Sequence, residues 1–518
     1  MVERYSRRRF LKLAGFGAVG VSLTAVVGCE AKGNLSETTS EEAVATVRPA
    51  PKAVTESTVA TTTSAPPGSK YVQAFRSRPD LSPPTIGVST TPRDTAPGYV
   101  FIAPKEAKEG QYGAMVVDEQ GRMVWFKPVK RQGDYVMDCK VQTYKGEPVL
   151  TFWEGRVTNG FGLGEYSILD GSYNEIGRVR SVGYQGDHHD FTLTSRDTAL
   201  FTIYNPLPAN LSGIGRRVDD AAIEGVIQEI DVASGEVLFE WHSLDHVGPE
   251  ESYEGVVQNA TVPYDYFHIN SIDVDDDDNL IVSARKTYTV YKIDRETGEI
   301  IWRLGGKNSD FEMGPGCRPA EQHDARRQAD GTITIFDNGA LKPDARSFGL
   351  TLGLDTTAMT ASLVREYSHP DQIFAENQAN MQVLPNGNVF IGWGSEPFFS
   401  EFSRDGQLLH SANLPPEAES YRAFKFPWEG QLANKPDVTT EPGPDGATTL
   451  YVSWNGATQV DNWQVLAGPR QNKLKPAGFV PRKDFETAIL VDTKEPYLIV
   501  QGRDASNKVL GASKAVEL

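Results

Sequence analysis

The chain has 518 residues, with 51 basic and 69 acidic side chains, a net charge of −18 and 39% hydrophobic composition. This acidic balance, with no basic cluster in the body, speaks against nucleic acid as a partner. With only three cysteines, the chain is not a disulfide scaffold.

The first element in chain order is an export signal. "SRRRFLK" at residues 6–12 is a basic head, and the mild apolar run "LAGFGAVGVSLTAVVG" ends at Cys29. A membrane span needs about 20 apolar residues. A basic head, a short apolar run and small residues at a processing site describe a signal peptide instead. The paired arginines resemble the twin-arginine signal, which carries folded proteins across a membrane. "VVGC" resembles a lipobox, in which Cys29 becomes the lipidated first residue. Residues 1–29 are therefore expected to be signal, placing the protein in the cell envelope on the outer face of the membrane, held only by its lipid. Residues 30–78 are rich in Thr, Ser, Ala and Pro and bury too little to offset their ordering entropy, which predicts a disordered tether. Cys139 and Cys317 remain, enough for one disulfide in an oxidising compartment.

From residue 79 the chain repeats itself. "YVFIA" from 99, "VLTFW" from 149, "LFTIY" from 200, "LIVSAR" from 280, "ITIFD" from 333 and "VFIGWG" from 389 recur mostly about 50 residues apart. An insertion near residues 205–225 fills the long gap. A second set of strands, often opened by Gly, falls between them, and phrases such as "TVYKIDRETG" and "VIQEIDVASG" carry hairpin turns. Six copies of a four-strand meander with no amphipathic helix predict an all-β fold, a six-bladed β-propeller over residues 79–438. The first unit lacks its own innermost strand, which predicts that a strand from the far end of the array closes the ring. After residue 439, alternating strands with Gly and Asn turns read as a small β-sandwich-like appendage.

The repeat supplies a coordinate system. The strand before each marker opens with Asp138, His189, His268, His323 and Asn380 in successive repeats. Three of the eight histidines thus occupy equivalent places in consecutive units and should converge on the axis.

The motifs "FHINSIDVDDDDNLIVSARKTYTVYKIDRETGEIIWRLGG", "SDF", "QHDAR", "IFDNG" and "SYRAFKFPW" resemble the arylsulfotransferase family, over most of residues 80–435. The resemblance implies a propeller that moves a sulfuryl group from a phenolic sulfate to another phenol, through a sulfated histidine and without a nucleotide donor or other cofactor. Carried onto this chain, the "QHDAR" histidine, His323, is the nucleophile. The "HDF" histidine His189, the "HINS" residues His268 and Asn270, and the "SAR" arginine Arg285 bind substrate, with His268 or His189 taking the phenol's proton. His189 is preferred to its neighbour His188 because it keeps alternation with the strand that follows. The chemistry suits these side chains, since a loose in-line transfer spreads negative charge over three oxygens and calls for preorganised cations. Imidazole is a nucleophile that is neutral near pH 7.

Two rival readings use the same residues. Three convergent histidines could hold zinc in a metal-dependent hydrolase, although Arg285 in the same repeat as His268 repels a divalent cation. A non-catalytic surface propeller could use them as pocket polar groups. Other features have plain readings. "DVDDDDN" at 273–279 lacks the EF-hand spacing and reads as a hairpin turn, and "GGKNS" at 305–309 is not a P-loop. Trp302, Trp393 and Trp428 read as packing, and His242, His246, His369 and His410 as exposed.

Overall fold

The computed structural model describes residues 58–61, 69–257, 262–339 and 346–518; the expected export signal and Cys29 lie outside the described residues. Strands form where β-branched and aromatic residues cluster between Gly- and Asp-containing turns. Two turns show the device. In "DVASGE" and "DRETGE" the N–H groups of Gly235 and Gly298 each donate to the carbonyl four residues back, both at 2.8 Å. Both glycines have left-handed φ, 74° and 78°, a conformation glycine adopts without steric cost. The aspartate opening each turn, Asp231 or Asp294, also accepts backbone N–H bonds through its side chain.

The fold is all-β. Among the described residues, six sheets contain a four-strand antiparallel meander. Sheet 2 runs Tyr135–Tyr144, Glu147–Thr158, Phe161–Leu169 and Glu175–Val179. Sheet 3 runs Phe191–Leu193, Thr198–Ala209, Asp220–Asp231 and Val237–His242, and sheet 4 runs Ile269–Val274, Leu280–Ala284, Thr289–Ile293 and Ile300–Gly305. Sheet 5 comprises His323–Arg327, Ile333–Asp337, Phe348–Asp355 and Thr360–Tyr367, and sheet 6 comprises Asn380–Val383, Val389–Gly392, Phe398–Phe402 and Leu408–Asn413. Sheet 1 is the composite expected from the sequence: Glu419–Phe426 pairs with Tyr99–Lys105, followed by Gly113–Val117 and Met123–Pro128. The six marker strands are each the second strand of their sheet, and the first strands contact one another in succession until Glu419–Phe426 meets Tyr135–Tyr144. That contact closes a ring.

Burial falls from the inside of this ring outward. Leu280–Ala284 is buried throughout, whereas Thr360–Tyr367 on the rim is mostly exposed. Neighbouring sheets share cores: Leu200, Ile227 and Trp241 of sheet 3 pack in one cluster with Ile272, Val282 and Tyr291 of sheet 4. Each large apolar side chain buried this way contributes about 1.5–3 kcal/mol.

A buried ion network lies inside the ring. Arg422, fully buried, contacts Asp138 and Asp190 at 3.0 Å and Asp324 at 3.5 Å. Lys140 bridges Asp138 and Asp190 at 2.7 and 3.0 Å, and Arg326 bridges Asp190 and Asp324 at 2.7 and 2.8 Å. Three carboxylates face three cations. This corrects the sequence register: Asp138 does not share a level with His189 and His323 but belongs with Asp190 and Asp324, each one residue further along its strand. Asn380 likewise does not border the histidine level, and its amide bonds the backbone of Ala423. A one-residue slip exchanges the two faces of a strand.

The segment after the ring contains two sheets that share one core cluster. One begins at Asp437–Pro442 and includes Thr58–Thr61, which pairs with Glu486–Asp492. The expectation of a disordered tether over 30–78 therefore fails for residues 58–61, where backbone pairing to an open sheet edge outweighs poor apolar content, and for 69–78, where Phe75 packs on Phe485 and the Ser77 N–H donates to Glu486. Asn455 docks this segment on the outer strand of sheet 1, its amide exchanging two 2.9 Å bonds with the backbone of Phe126. Cys139 and Cys317 are free and buried in different clusters, so the disulfide left open by the sequence is not formed. His369 and His410, expected to be exposed, are buried. Trp302, Trp393 and Trp428 are packing residues, as expected.

Candidate active site

A cavity of about 260 Å³ opens where the first strands of the ring begin, walled by Tyr421, Met137 and His323 from the strands themselves and by His189, His268 and Gln378 from the segments just before the first strands of sheets 3, 4 and 6. Arg285, His188, Lys105 and Asn377 complete its polar surface. Among the described residues lining it are two fixed cations, Lys105 and Arg285, and no carboxylate. This lining suits an anion, with each cation also paired to a carboxylate behind the wall, Lys105 to Glu419 and Arg285 to Glu321.

His323 begins the first strand of sheet 5 and is almost fully buried. The Asn338 amide donates to the carbonyls of Ala375 and Gln378 at 2.8 and 3.3 Å, which turns its Oδ1 toward His323 Nδ1 at 2.8 Å. Nδ1 therefore carries the proton and donates it to Asn338. Nε2 is left with its lone pair, which accepts the Gln378 backbone N–H at 3.2 Å. Burial, and then the Arg285 charge, push the imidazole pKa well below its ordinary value. The ring is thus neutral, with its proton on Nδ1 and its lone pair on Nε2.

Arg285 follows the second strand of sheet 4, and its backbone N–H donates to the His268 carbonyl at 2.9 Å. The hairpin thereby puts the "HINS" and "SAR" motifs side by side. The guanidinium donates to Glu321 at 2.6 Å and to the Glu376 carbonyl at 3.1 Å, while its buried Nε has no partner among the described residues. A buried N–H without a partner costs about 1–3 kcal/mol, which an oxyanion in the cavity relieves.

His268 has left-handed φ, 54°, and its Nδ1 sits 2.5 Å from Asp265. His189 is held alike, with Nδ1 2.5 Å from Asp187, and the two rings meet edge to face at 4.9 Å. Burial depresses the His268 pKa, with Asp265 opposing and His189 and Arg285 reinforcing. In each pair the carboxylate fixes Nδ1, which leaves Nε2 as the free nitrogen of the ring. His188 stacks on His189 at 4.1 Å and also borders the cavity, so the doubled histidine places both rings in the site. Burial, then the charge of His189, holds His188 well below its usual pKa.

Asn270 is the sequence-assigned residue that the structure moves. It does not line the cavity; it is fully buried and its amide donates to the Gln322 carbonyl at 2.7 Å. It positions the backbone next to His323 rather than touching a substrate. Conversely, Lys105, Met137, Asn338, Gln378 and Tyr421 were missed. "IFDNG" and "SYRAF" carry Asn338 and Tyr421, whereas Lys105 and Gln378 stand at the end of a strand and in a turn, where repeat register gives no guide.

Asp187, His188 and His189 also offer ligand atoms within 4.8 Å of one another. The Asp187 carboxylate is already taken by the N–H groups of Gly162 and His189 and by the Thr202 hydroxyl. The geometry therefore favours a carboxylate that orients a histidine over a metal ligand.

Two expected results follow from this geometry. If the sulfuryl transfer expected from the sequence holds, Arg285→Lys lowers kcat for aryl-sulfate turnover by about 10²–10³-fold, because an ammonium cannot replace the planar fork; steady-state kinetics check it. The acid limb of the kcat/KM profile lies below pH 6.5, since the active form of His323 is unprotonated and its pKa is lowered. An acid limb at or above pH 6.5 would contradict a neutral, buried nucleophile.

The geometry is an all-β ring with a cavity lined by histidines, an arginine and a lysine, and comparison with known proteins supplies the family. Residues 140–413, just over half of the sequence, match the family model described as Arylsulfotransferase (ASST). The chain belongs to the arylsulfotransferase family. No curated protein matches it. A protein of unknown function from Bacteroides caccae is similar at 13% identity and a TM-score of 0.40, covering 64% of this chain and 99% of that one. A streptogramin B lyase gives 11% identity, a TM-score of 0.32 and coverage of 71% and 94%. Virginiamycin B lyase from Staphylococcus aureus gives 10%, 0.25, 79% and 99%.

Proposed function

We propose that the chain is an aryl-sulfate sulfotransferase, built as a six-bladed β-propeller with a β-sandwich-like appendage, exported by the twin-arginine route and anchored through Cys29 to the outer face of the membrane. The observation that carries this reading is the neutral, Asn338-oriented Nε2 of His323 facing the same cavity as Arg285. The His323 Nε2 lone pair gives up the Gln378 N–H and attacks the sulfur of a phenolic sulfate; the S–N bond forms as the S–O bond breaks, and the donor leaves as phenoxide. Arg285 holds sulfuryl oxygens through both half-reactions. The acceptor phenol then gives its proton to Nε2 of His268 or His189, its oxygen bonds sulfur, the S–N bond breaks, and the histidine returns the proton to solvent. Both half-reactions use one cavity, which fits a ping-pong order with small phenols as partners and no nucleotide donor.

The test is to mix the soluble body with a chromogenic aryl sulfate, with and without added phenol, and to take an intact mass at once. A sulfuryl adduct on His323 with phenol-dependent turnover is expected. A folded, metal-checked sample with no adduct and no turnover across several aryl sulfates would leave a binding propeller as the better account. Turnover that depends on added zinc would point to the hydrolase.

A further inference from the structure

Lys105 ends the second strand of sheet 1 and is 5% exposed, a burial that a lysine tolerates only when paired. Its ammonium is paired with Glu419, whose other carboxylate oxygen accepts the Gln378 amide at 3.0 Å. The same Gln378 caps His323 Nε2 through its backbone N–H. Lys105 is thus fixed, desolvated and tied to the nucleophile's wall, yet the transfer described above gives it no task.

The ring order supplies one. Counting around the six sheets, Lys105 in sheet 1 stands opposite Arg285 in sheet 4, and sheet 2 stands opposite His323 in sheet 5. In-line displacement puts the departing aryl oxygen on the far side of sulfur from His323. That side presents Met137 and Val157 of sheet 2, an apolar wall suited to an aromatic ring. The aryl oxygen between ring and sulfur is then flanked by sheet 1 and sheet 3, and the fixed cation on those sheets that borders the cavity is Lys105.

We infer that Lys105 is a further catalytic residue, whose ammonium meets the negative charge that develops on the aryl oxygen as the S–O bond breaks, with the aromatic ring seated against Met137 and Val157. The inference rests on the sulfuryl-transfer reading. No proton moves in this step: the electron pair of the breaking S–O bond stays on oxygen, and the phenoxide leaves from the ammonium. The acceptor oxygen meets the same cation in the second half-reaction.

The experiment compares parent and Lys105→Met over a series of aryl sulfates whose leaving phenols span a wide range of acidity, plotting log kcat/KM against phenol pKa. The expected loss is about 10-fold for the most acidic phenols and about 10³-fold for the least acidic, a steeper slope than the parent's, with Lys105→Arg restoring the parent slope. Parallel lines, whatever their offset, overturn the inference while leaving the transferase reading intact. An inert parent chain overturns both. If thermal melting shows Lys105→Met to be unfolded, Lys105→Gln against Lys105→Arg gives the same comparison of slopes.

Discussion

His323→Asn lowers kcat/KM for every aryl sulfate by about 10⁴-fold or more, the scale lost when a covalent nucleophile is removed from an otherwise intact site. Asparagine fills much of the imidazole's space and can still bond Asn338, so the fold and the anion cavity persist. Aryl-sulfate binding should survive within a few-fold, because Arg285 and the paired histidines remain. The intact-mass adduct should vanish completely. Binding by calorimetry, turnover by chromophore release and mass together check this result. Persistence of the adduct in His323→Asn would move the nucleophile to His188, His189 or His268, each of which borders the same cavity.

The second large effect is on stability. Arg422→Met leaves Asp138, Asp190 and Asp324 facing only Lys140 and Arg326, in a site where the guanidinium they lose is fully buried. Removing one partner of a buried ion group costs about 3–5 kcal/mol, because the remaining charge has no solvent to turn to. The guanidinium also donates to the Asn270 carbonyl at 2.8 Å, so the loss reaches the strand that carries His268. Denaturant unfolding at pH 7 should show the shift in midpoint. A change below about 1 kcal/mol would mean that water or protonation compensates, contrary to three carboxylates held inside the ring.

Much of this was legible in the sequence. Repeats of β-branched strands gave the all-β meanders, and the missing first strand of the opening repeat foretold the partnership of Glu419–Phe426 with Tyr99–Lys105. His189, His268, His323 and Arg285 were identified from motif and register, and all four border one cavity. The failures have physical causes. Asp138 and Asn380 were placed one level too high because alternation fixes the face of a residue only when the start of its strand is known. Asn270 read as a ligand contact because a buried polar side chain and a pocket polar side chain look alike until their partners are seen. Lys105 left no trace, since a lysine closing a strand is usually solvated and only the ring turns it inward.

The closure of sheet 1 by Glu419–Phe426 also sets when activity can first arise. By the time a ribosome has made residue 323, His189, His268, Arg285 and His323 have all been synthesised, yet Tyr421, Glu419 and Arg422 are still about 100 residues away along the chain. Until they arrive, sheet 1 has no inner strand, Lys105 has no carboxylate beside it and the three aspartates have lost a cation. Pairing across more than 300 residues is a late, slow event in folding. A partly made or clipped chain therefore carries His323 without the cavity around it, and a formed cavity becomes a report that the whole ring has been completed.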